Sequence, residues 1–224
     1  MLTLLHLDDQ ILVLDKPAGL PVLPDGWDPQ APYLKKMLEE EYGRLWVVHR
    51  LDKQTSGVLV FARSADAHRQ LNIQFEKRQV EKVYHAITVG IPPWAEKTTR
   101  YPLRGNVGHS HRTIVDDSKG KPAETHFKVL GAFREGALLE ARPMTGRTHQ
   151  VRAHAAALGY PLLGDTLYGA TPSALLARPA LHAASLAFLH PATGERVTFT
   201  ADYPADFAAA LKAIEARSAE IGGK

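Results

Sequence analysis

Short runs of apolar residues, divided by turn-forming residues, recur along the whole chain. Two such runs, at residues 2–7 and 11–14, are separated by the turn-prone pair Asp8-Asp9, which predicts two neighbouring strands. Further strand-like runs lie at residues 46–48, 58–61, 83–89, 126–130, 137–141, 181–188 and 196–200. Because most runs follow one another without a helix between them, the pattern predicts a largely antiparallel sheet rather than an alternating parallel fold.

Helical periodicity is limited to four segments. The sequence predicts helices at residues 31–42, after Ser64, at residues 148–158 and from about residue 204 onward. Ser64 is a typical N-cap residue, and Ala67, Leu71 and Phe75 follow it at the spacing of four that places side chains on one helix face. No repeat or long linker divides residues 1–224. The expected fold is therefore α+β, a single domain whose mixed, mostly antiparallel sheet is flanked by helices and loops.

The composition excludes several classes of chemistry. The 224 residues include no cysteine, which rules out disulfides, thiolate zinc sites, iron–sulfur clusters and cysteine nucleophiles. No run approaches the roughly 20 apolar residues of a membrane span. The first apolar stretch is broken by Asp8 and Asp9 and has no basic leader, unlike a signal peptide. We therefore expect a cytoplasmic protein with no membrane contact. The net charge of +3 allows a polyanionic partner.

Common cofactor and nucleophile motifs are absent from the sequence. It contains no phosphate-binding P-loop, no glycine-rich dinucleotide turn and no serine nucleophile elbow. His109 and His111 are two residues apart, and His149 and His154 are five apart, so neither pair has the i, i+4 spacing of a zinc helix. The sequence therefore predicts no bound metal and no nucleotide cofactor.

The most informative segment is the polar loop at residues 49–57, which lies between two apolar runs. Polar residues held between rigid strands often carry catalysis. Two interpretations of the loop itself remain open at this point. It can be a surface turn with an ordinary ion pair between Arg50 and Asp52. It can be part of a serine hydrolase, since His49, Asp52 and Ser56 supply the three residue types of a triad.

This loop, H-R-L-D-x-x-T-S-G, resembles the signature of the RluA family of pseudouridine synthases. Other segments resemble further motifs of that family, in the expected order: residues 15–19 (DKPAG), 82–86 (KVYHA), 145–152 (TGRTHQVR), 164–169 (GDTLYG), 181–183 (LHA) and 190–191 (HP). The resemblance spans nearly the whole chain. It implies a single pseudouridine-synthase catalytic domain that isomerises uridine in RNA without a cofactor.

The resemblance also implies roles for individual residues. Asp52 takes the place of the catalytic aspartate, acting either as a nucleophile on the sugar or as a base at C2′. Arg147 is expected to pair with this carboxylate, because a guanidinium stays charged and can bridge both oxygens. Tyr84 is expected to stack on the flipped uracil, and Leu181 to form an apolar wall beside it. Arg50 is expected to fill the space left by the flipped base or to bind a flanking phosphate.

A basic segment at residues 97–121 is a candidate for further RNA contacts. Arg100, Arg104 and Arg112 lie in it among several glycines, a pattern that indicates a hairpin arm suited to phosphates. The alternative is an ordinary solvated loop. The opening motif begins at Asp15, which leaves no room for a preceding RNA-binding domain, so RNA affinity is expected from the catalytic domain itself. The compact members of the family act on transfer RNA and large-subunit ribosomal RNA, and we expect a monomer that needs no protein partner.

Two other function classes compete with this interpretation. One is a non-catalytic RNA-binding or ribosome-assembly factor that keeps the fold, which the presence of Asp52, Tyr84 and Arg147 argues against. The other is a glycoside hydrolase, which needs a second carboxylate near Asp52. Asp165 is the motif-embedded candidate for that carboxylate, although a turn-stabilising role explains it more simply.

Overall fold

The computed structural model describes residues 2–24 and 30–219, which form an α+β fold. The chain divides into two compact units. The first contains the described residues of Met1–Lys82 together with Ala183–Asp202, and the second contains Val83–His182 and the described residues of Tyr203–Lys224. Among the helices of the described part, none combines the length and the apolar character that crossing a lipid bilayer requires.

The first unit is built on antiparallel strands with two helices. Its elements are β1 (Thr3–Leu7), β2 (Ile11–Lys16), α1 (Leu34–Tyr42), β3 (Trp46–Val47), β4 (Ser56–Ala62), α2 (Ala65–Glu76) and β12 (Arg196–Thr200). Strand β2 pairs with β1 on one side and with β4 on the other, and β3 also pairs with β4, all antiparallel. All seven residues of β4 are buried, and the loop that precedes this strand carries Asp52.

Helix α2 covers the apolar core of the first unit. Ala67 and Leu71 are buried, and Phe75 packs beside them against a cluster that includes Val58 and Val60 of β4. The spacing of four therefore gives the apolar face that the sequence predicts. Packing against the fully buried strand β4 fixes the position of α2 in the first unit, which also contains the Asp52 loop.

The N-cap of α2 is confirmed and leads to a test. The backbone N–H of Ala67 donates to the Ser64 hydroxyl at 3.1 Å. Replacing Ser64 by Ala leaves this N–H without its partner, so we expect the free energy of unfolding to fall by about 1 kcal/mol. Urea denaturation measures the change, and Ser64→Asp, which can cap the same N–H, is the matched control. Equal midpoints for Ser64→Ala and the unaltered protein would contradict this role.

The second unit contains the remaining strands and two helices. Its elements are β5 (Glu81–Val89), β6 (Glu96–Thr99), β7 (Leu103–Val107), β8 (Arg112–Val115), β9 (Thr125–Ala132), β10 (Gly136–Pro143), α3 (Gln150–Ala157) and α4 (Ala205–Ala219). Strand β11 (Leu181–Leu189), like β5, has residues in both units. Strand β10 pairs with β5 and β9, and β9 also pairs with β6, all antiparallel. Strands β7 and β8 form a separate hairpin, as the basic segment predicts.

Two apolar clusters hold the second unit together. Helix α3 contributes Val151 and Ala155 to a cluster with Leu139 of β10. Helix α4 contributes Phe207 and Ile214 to a second cluster. These buried side chains fix α3, and the loop before α3 carries Arg147.

Most predicted elements are present, although many of their boundaries differ from the prediction by one to three residues. Helix α1 begins at Leu34 and not at residue 31, because Pro32 disfavours helical geometry in the residue before it. Helix α3 begins at Gln150 and not at residue 148, because His149 takes a left-handed conformation with φ of 52°. Strand β3 ends at Val47, one residue earlier than predicted.

Candidate active site

Asp52 lies in a tight turn between β3 and β4. The backbone N–H of Thr55 donates to the Asp52 carbonyl at 3.0 Å, which closes the turn. Leu51 on one side and Thr55 and Ser56 on the other are buried, whereas Asp52 is half-buried. The turn is therefore anchored at both ends while the carboxylate stands at its edge, a placement that suits a catalytic group.

A buried lysine that the sequence analysis missed supports this turn. Lys16, the last residue of β2, has no exposed surface, and its Nζ donates to the carbonyls of Pro17 and Leu20, both at 2.8 Å, and of Lys53 at 3.2 Å. The N–H of Gly19 donates to the same Lys53 carbonyl at 2.8 Å. The opening motif and the residue after Asp52 are thus joined through one ammonium group.

Replacing Lys16 by Met tests this support. The change keeps the apolar stem but leaves three main-chain carbonyls without their charged donor and removes a buried ammonium group, so we expect a loss of about 3 kcal/mol in the free energy of unfolding. We also expect slower turnover, because the Asp52 turn loses a constraint. Chemical denaturation and initial rates of RNA modification measure the two effects. Lys36→Met, an exposed lysine of α1, is the control. A Lys16 variant as stable as Lys36→Met would exclude this role.

His49 supports the same loop as a neutral, half-buried ring. Its Nε2 accepts from the Val60 N–H at 3.2 Å, and the ring stacks on Phe75 at 4.8 Å between centroids. Burial, and then the positive charge of Lys82, lower the pKa of the His49 imidazole to about 3. A ring nitrogen that already accepts from Val60 cannot also take a proton from Ser56. The geometry therefore favours a supporting role for His49 over membership of a serine-hydrolase triad.

Gly57 is required at the start of β4 for steric reasons. Its φ is +111°, a region that residues with side chains rarely adopt. A Cβ atom at this position would also lie 2.7 Å from the backbone nitrogen and carbonyl carbon of Ala183. The last glycine of the loop motif therefore permits a close main-chain approach within the first unit.

Tyr84 and Leu181 are brought together in the second unit. Tyr84 lies on β5 opposite Ala141 of β10 and is half-buried. It packs against the apolar cluster that includes Leu181, the first residue of β11, which is 4% exposed. The tyrosine ring therefore rests on an apolar base while part of it stays open to solvent.

Arg147 lies in the loop before α3, three residues ahead of the helix. Its backbone N–H donates to the buried Gln150 side chain at 3.1 Å, and Gln150 Oε1 also accepts from the Thr145 hydroxyl at 2.6 Å. The Arg147 Nε donates to the Pro122 carbonyl at 3.1 Å. Gln150 thus fixes the backbone of the loop, and Pro122 fixes the direction of the guanidinium.

A buried ion pair links α3 to the turn at Asp165. Arg152 Nε and Nη2 donate to the two Asp165 oxygens at 2.7 and 2.8 Å, and their side chains are 7% and 0% exposed. The Arg152 guanidinium also lies 4.9 Å from the Tyr168 ring centroid. Sequence analysis missed this pair, although both partners fall within matched motifs. Asp165 is fully engaged by Arg152, which favours a structural role over that of a glycosidase acid.

The basic hairpin is attached to the loop that carries Arg147. The Thr113 hydroxyl of β8 donates to the Thr148 carbonyl at 2.9 Å, and the Thr113 N–H donates to the Tyr168 hydroxyl at 2.9 Å. Thr113 therefore links the hairpin directly to Thr148, two residues before α3, by a hydrogen bond.

The arginines predicted to bind RNA differ in whether a carboxylate pairs with them and in how exposed they are. Arg100 pairs with Glu124, and Arg104 pairs with Asp116 at 2.6 Å between Nε and Oδ2. Arg112 is exposed, and no carboxylate among residues 2–24 and 30–219 forms an ion pair with it. Arg50 is exposed at the start of the Asp52 turn.

A cluster of two histidines and an aspartate has the donor types of a metal site, and one of its members, His190, belongs to the motif at residues 190–191. The Nε2 atoms of His6 and His190 lie 2.8 and 2.9 Å from Asp8 Oδ2. Burial alone would raise the pKa of Asp8, but the hydrogen bonds from both imidazoles and from backbone N–H groups hold it well below its usual range. His190 Nδ1 accepts from the Ala192 and Thr193 N–H groups, which places the proton on Nε2. The cluster is therefore satisfied by hydrogen bonds, and a metal at His190 Nε2 would require that proton to leave.

Comparisons with known proteins agree with the motifs. Residues 10–157 match the family model described as RNA pseudouridylate synthase. The chain is 36% identical over 224 residues to ribosomal large subunit pseudouridine synthase D of Zymomonas mobilis, covering 92% of this chain and 71% of that protein. It is 38% identical over 208 residues to the dual-specificity RNA pseudouridine synthase RluA of Escherichia coli, covering 92% and 94% of the two chains.

A solved structure shows the same fold. The human RNA pseudouridylate synthase domain containing 4 matches with a TM-score of 0.77 and 28% identity, over 95% of this chain and 92% of that one. Family model, curated relatives and fold agree along most of the chain. The protein therefore belongs to the RluA family of RNA pseudouridine synthases, isomerases that convert uridine in RNA to pseudouridine.

Proposed function

We propose that this chain isomerises specific uridines in ribosomal or transfer RNA, with Asp52 as the catalytic carboxylate. The observation that carries the proposal is the Asp52 turn, a half-buried carboxylate between two buried, anchored flanks. The names of the relatives support ribosomal RNA as a substrate, since one of them is a ribosomal large subunit enzyme.

The reaction balances without a cofactor. The bond between C1′ of the ribose and N1 of the uracil breaks, the base rotates, and a bond forms between C1′ and C5, whose proton is released while N1 gains one. An ionised Asp52 serves either as a nucleophile on the sugar or as a base at C2′. Both routes need a carboxylate and neither needs a redox group or an energy source, so we propose that the chain works without metal or cofactor.

The remaining site residues hold the base and supply charge. Tyr84 stacks on the flipped uracil, as aromatic side chains commonly do with unstacked bases, and Leu181 provides an apolar wall beside it. Arg147 supplies a positive charge that favours the ionised form of the catalytic carboxylate. Arg50 fills the space left by the base or binds a flanking phosphate.

Arg100, Arg104 and Arg112 contact RNA phosphates in this proposal. Replacing all three by Ala removes three positive charges, so we expect weaker RNA binding and a slope of log affinity against log salt that is shallower by about 2. Fluorescence anisotropy across a potassium chloride series measures both. Replacing Lys36 and Lys212, exposed lysines of α1 and α4, is the control. An unchanged slope would assign the arginines to an ordinary solvated surface.

The same proposal extends to the domain content, the oligomeric state and the location of the protein. Residues 1–224 serve as one catalytic domain that acts as a monomer, without an obligatory protein partner, in the cytoplasm. Sedimentation of the purified chain with and without RNA tests the monomer. A dimer that forms only with RNA would contradict it.

Release of tritium from RNA labelled at uracil C5 tests the proposed activity. The RNA is taken from cells that lack this protein, so that its target uridines remain unmodified. We expect release with the active protein, and mapping of the new pseudouridines then identifies the substrate. Sites confined to messenger RNA would overturn the proposed substrate class. Tight RNA binding without any release would favour a non-catalytic RNA-binding factor.

A further inference from the structure

Glu124 already occupies the guanidinium of Arg100. Arg100 Nε lies 3.0 Å from Glu124 Oε2 and Nη2 lies 3.1 Å from Oε1, so the pair is bidentate. The Arg100 side chain is 68% exposed, whereas that of Glu124 is 27% exposed. The arginine is therefore open to a ligand from solvent, while its carboxylate partner lies against the protein.

Further contacts hold the Glu124 side chain independently of Arg100. His126 Nε2 lies 3.0 Å from Glu124 Oε1, and His126 Nδ1 lies 2.8 Å from the Thr98 hydroxyl. The hydrogen bond from Arg100, followed by the nearby charges, keeps the pKa of Glu124 below its usual value. When Arg100 turns to another anion, the carboxylate keeps its contact with His126 and, being 27% exposed, remains accessible to solvent.

The main chain of Glu124 is bound to the loop that carries Arg147. Its N–H donates to the Thr145 hydroxyl at 3.1 Å, and its carbonyl accepts from the Gln150 side chain at 2.8 Å and from the Met144 N–H at 2.9 Å. One residue therefore contacts a predicted RNA-binding arginine through its side chain and the Arg147 loop through its backbone.

From these contacts we propose that Glu124 is a built-in competitor for RNA phosphate at Arg100. In the free protein the carboxylate occupies the fork of the guanidinium, and bound RNA replaces it with a phosphate oxygen pair. The inference rests on the proposed RNA role of Arg100.

The exchange replaces one bidentate acceptor by another. Carboxylate and phosphate both match the paired N–H groups of a guanidinium, so Arg100 needs no change in its hydrogen-bonding pattern. Two consequences weaken binding. Every RNA that uses Arg100 must first displace Glu124, and the displaced carboxylate then repels the incoming phosphate. Glu124 therefore lowers RNA affinity and favours the release of product RNA.

Binding of a fluorescent single-stranded oligouridine of about 20 nucleotides, at low and moderate salt, tests the proposal. We expect Glu124→Gln to tighten binding about two- to fivefold, the range of an exposed ion pair. The gain disappears in the Arg100→Ala background, because no guanidinium is then left to release. Glu96→Gln is the matched control. Glu96 lies on β6, is 71% exposed, and is 3.8 Å from Lys128, so its loss removes the same charge without freeing Arg100.

The possible results distinguish a failure of this inference from a failure of the proposed RNA role of Arg100. If Arg100→Ala binds oligouridine as the unaltered protein does, the RNA role of Arg100 fails. If Arg100→Ala weakens binding but Glu124→Gln does not tighten it, the role of Arg100 stands and the competitor is excluded. Equal gains from Glu124→Gln and Glu96→Gln would show general repulsion and also overturn it. Should Glu124→Gln lose its thermal transition, Glu124→Ala removes the same carboxylate and is judged by the same results.

Discussion

Replacing Asp52 by Asn is expected to reduce tritium release by at least about a thousandfold, the scale on which a positioned acid–base group contributes. The amide has the same size and shape but can act neither as a nucleophile nor as a base. Because Asp52 is half-buried in a turn closed by backbone hydrogen bonds, the fold should survive the change. Single-turnover assays on RNA from cells that lack the protein measure the rate.

Two controls make the Asp52 result specific. Asp9→Asn removes an exposed carboxylate from the same unit and should leave the rate unchanged. RNA affinity and the thermal transition of Asp52→Asn should match those of the unaltered protein. An Asp52 variant that keeps a tenth of its activity or more would remove this residue from the reaction.

The largest effect on stability is expected from Asp165→Ala. The change leaves the Arg152 guanidinium buried without its carboxylate, and breaking a buried pair from one side costs about 3 to 5 kcal/mol. Both side chains are almost completely enclosed, so solvent cannot compensate. Guanidinium denaturation, with the midpoint and slope fitted together, measures the loss.

A double variant separates lost charge pairing from lost packing. Arg152→Met combined with Asp165→Leu removes both charges and keeps apolar volume, and buried pairs replaced in this way often lose little stability. We therefore expect the double variant to recover most of the loss caused by Asp165→Ala. A double variant as unstable as the single one would show that the packing against Tyr168 matters more than the charge.

The sequence predicts those features that depend on neighbours along the chain. Ser64 caps α2 because its side chain needs only the N–H three residues ahead, and the face of Ala67 and Leu71 follows from helical spacing alone. The Asp52 loop is equally local, since apolar strands on both sides delimit it. The α+β class follows from the order of these local elements.

Other features depend on partners that are distant in sequence. Lys16 reaches the carbonyl of Lys53, and Asp8 reaches His190, so only the folded chain brings them together. Spacing along a helix, the signal used for metal ligands, could not find the histidines of the latter cluster. The left-handed conformation of His149 is likewise set by its surroundings, because nothing in its residue type requires it.

The environment of His49 gives this chain a natural spectroscopic reporter. A ring that stays neutral and accepts from a main-chain amide keeps one tautomer over the pH range in which ordinary imidazoles titrate near pH 6.5. Its nitrogen resonances therefore stay in place over the pH range in which those of an ordinary imidazole move. Because Val60 lies on β4 and His49 lies three residues before Asp52, that signal follows the Asp52 turn itself without any chemical label.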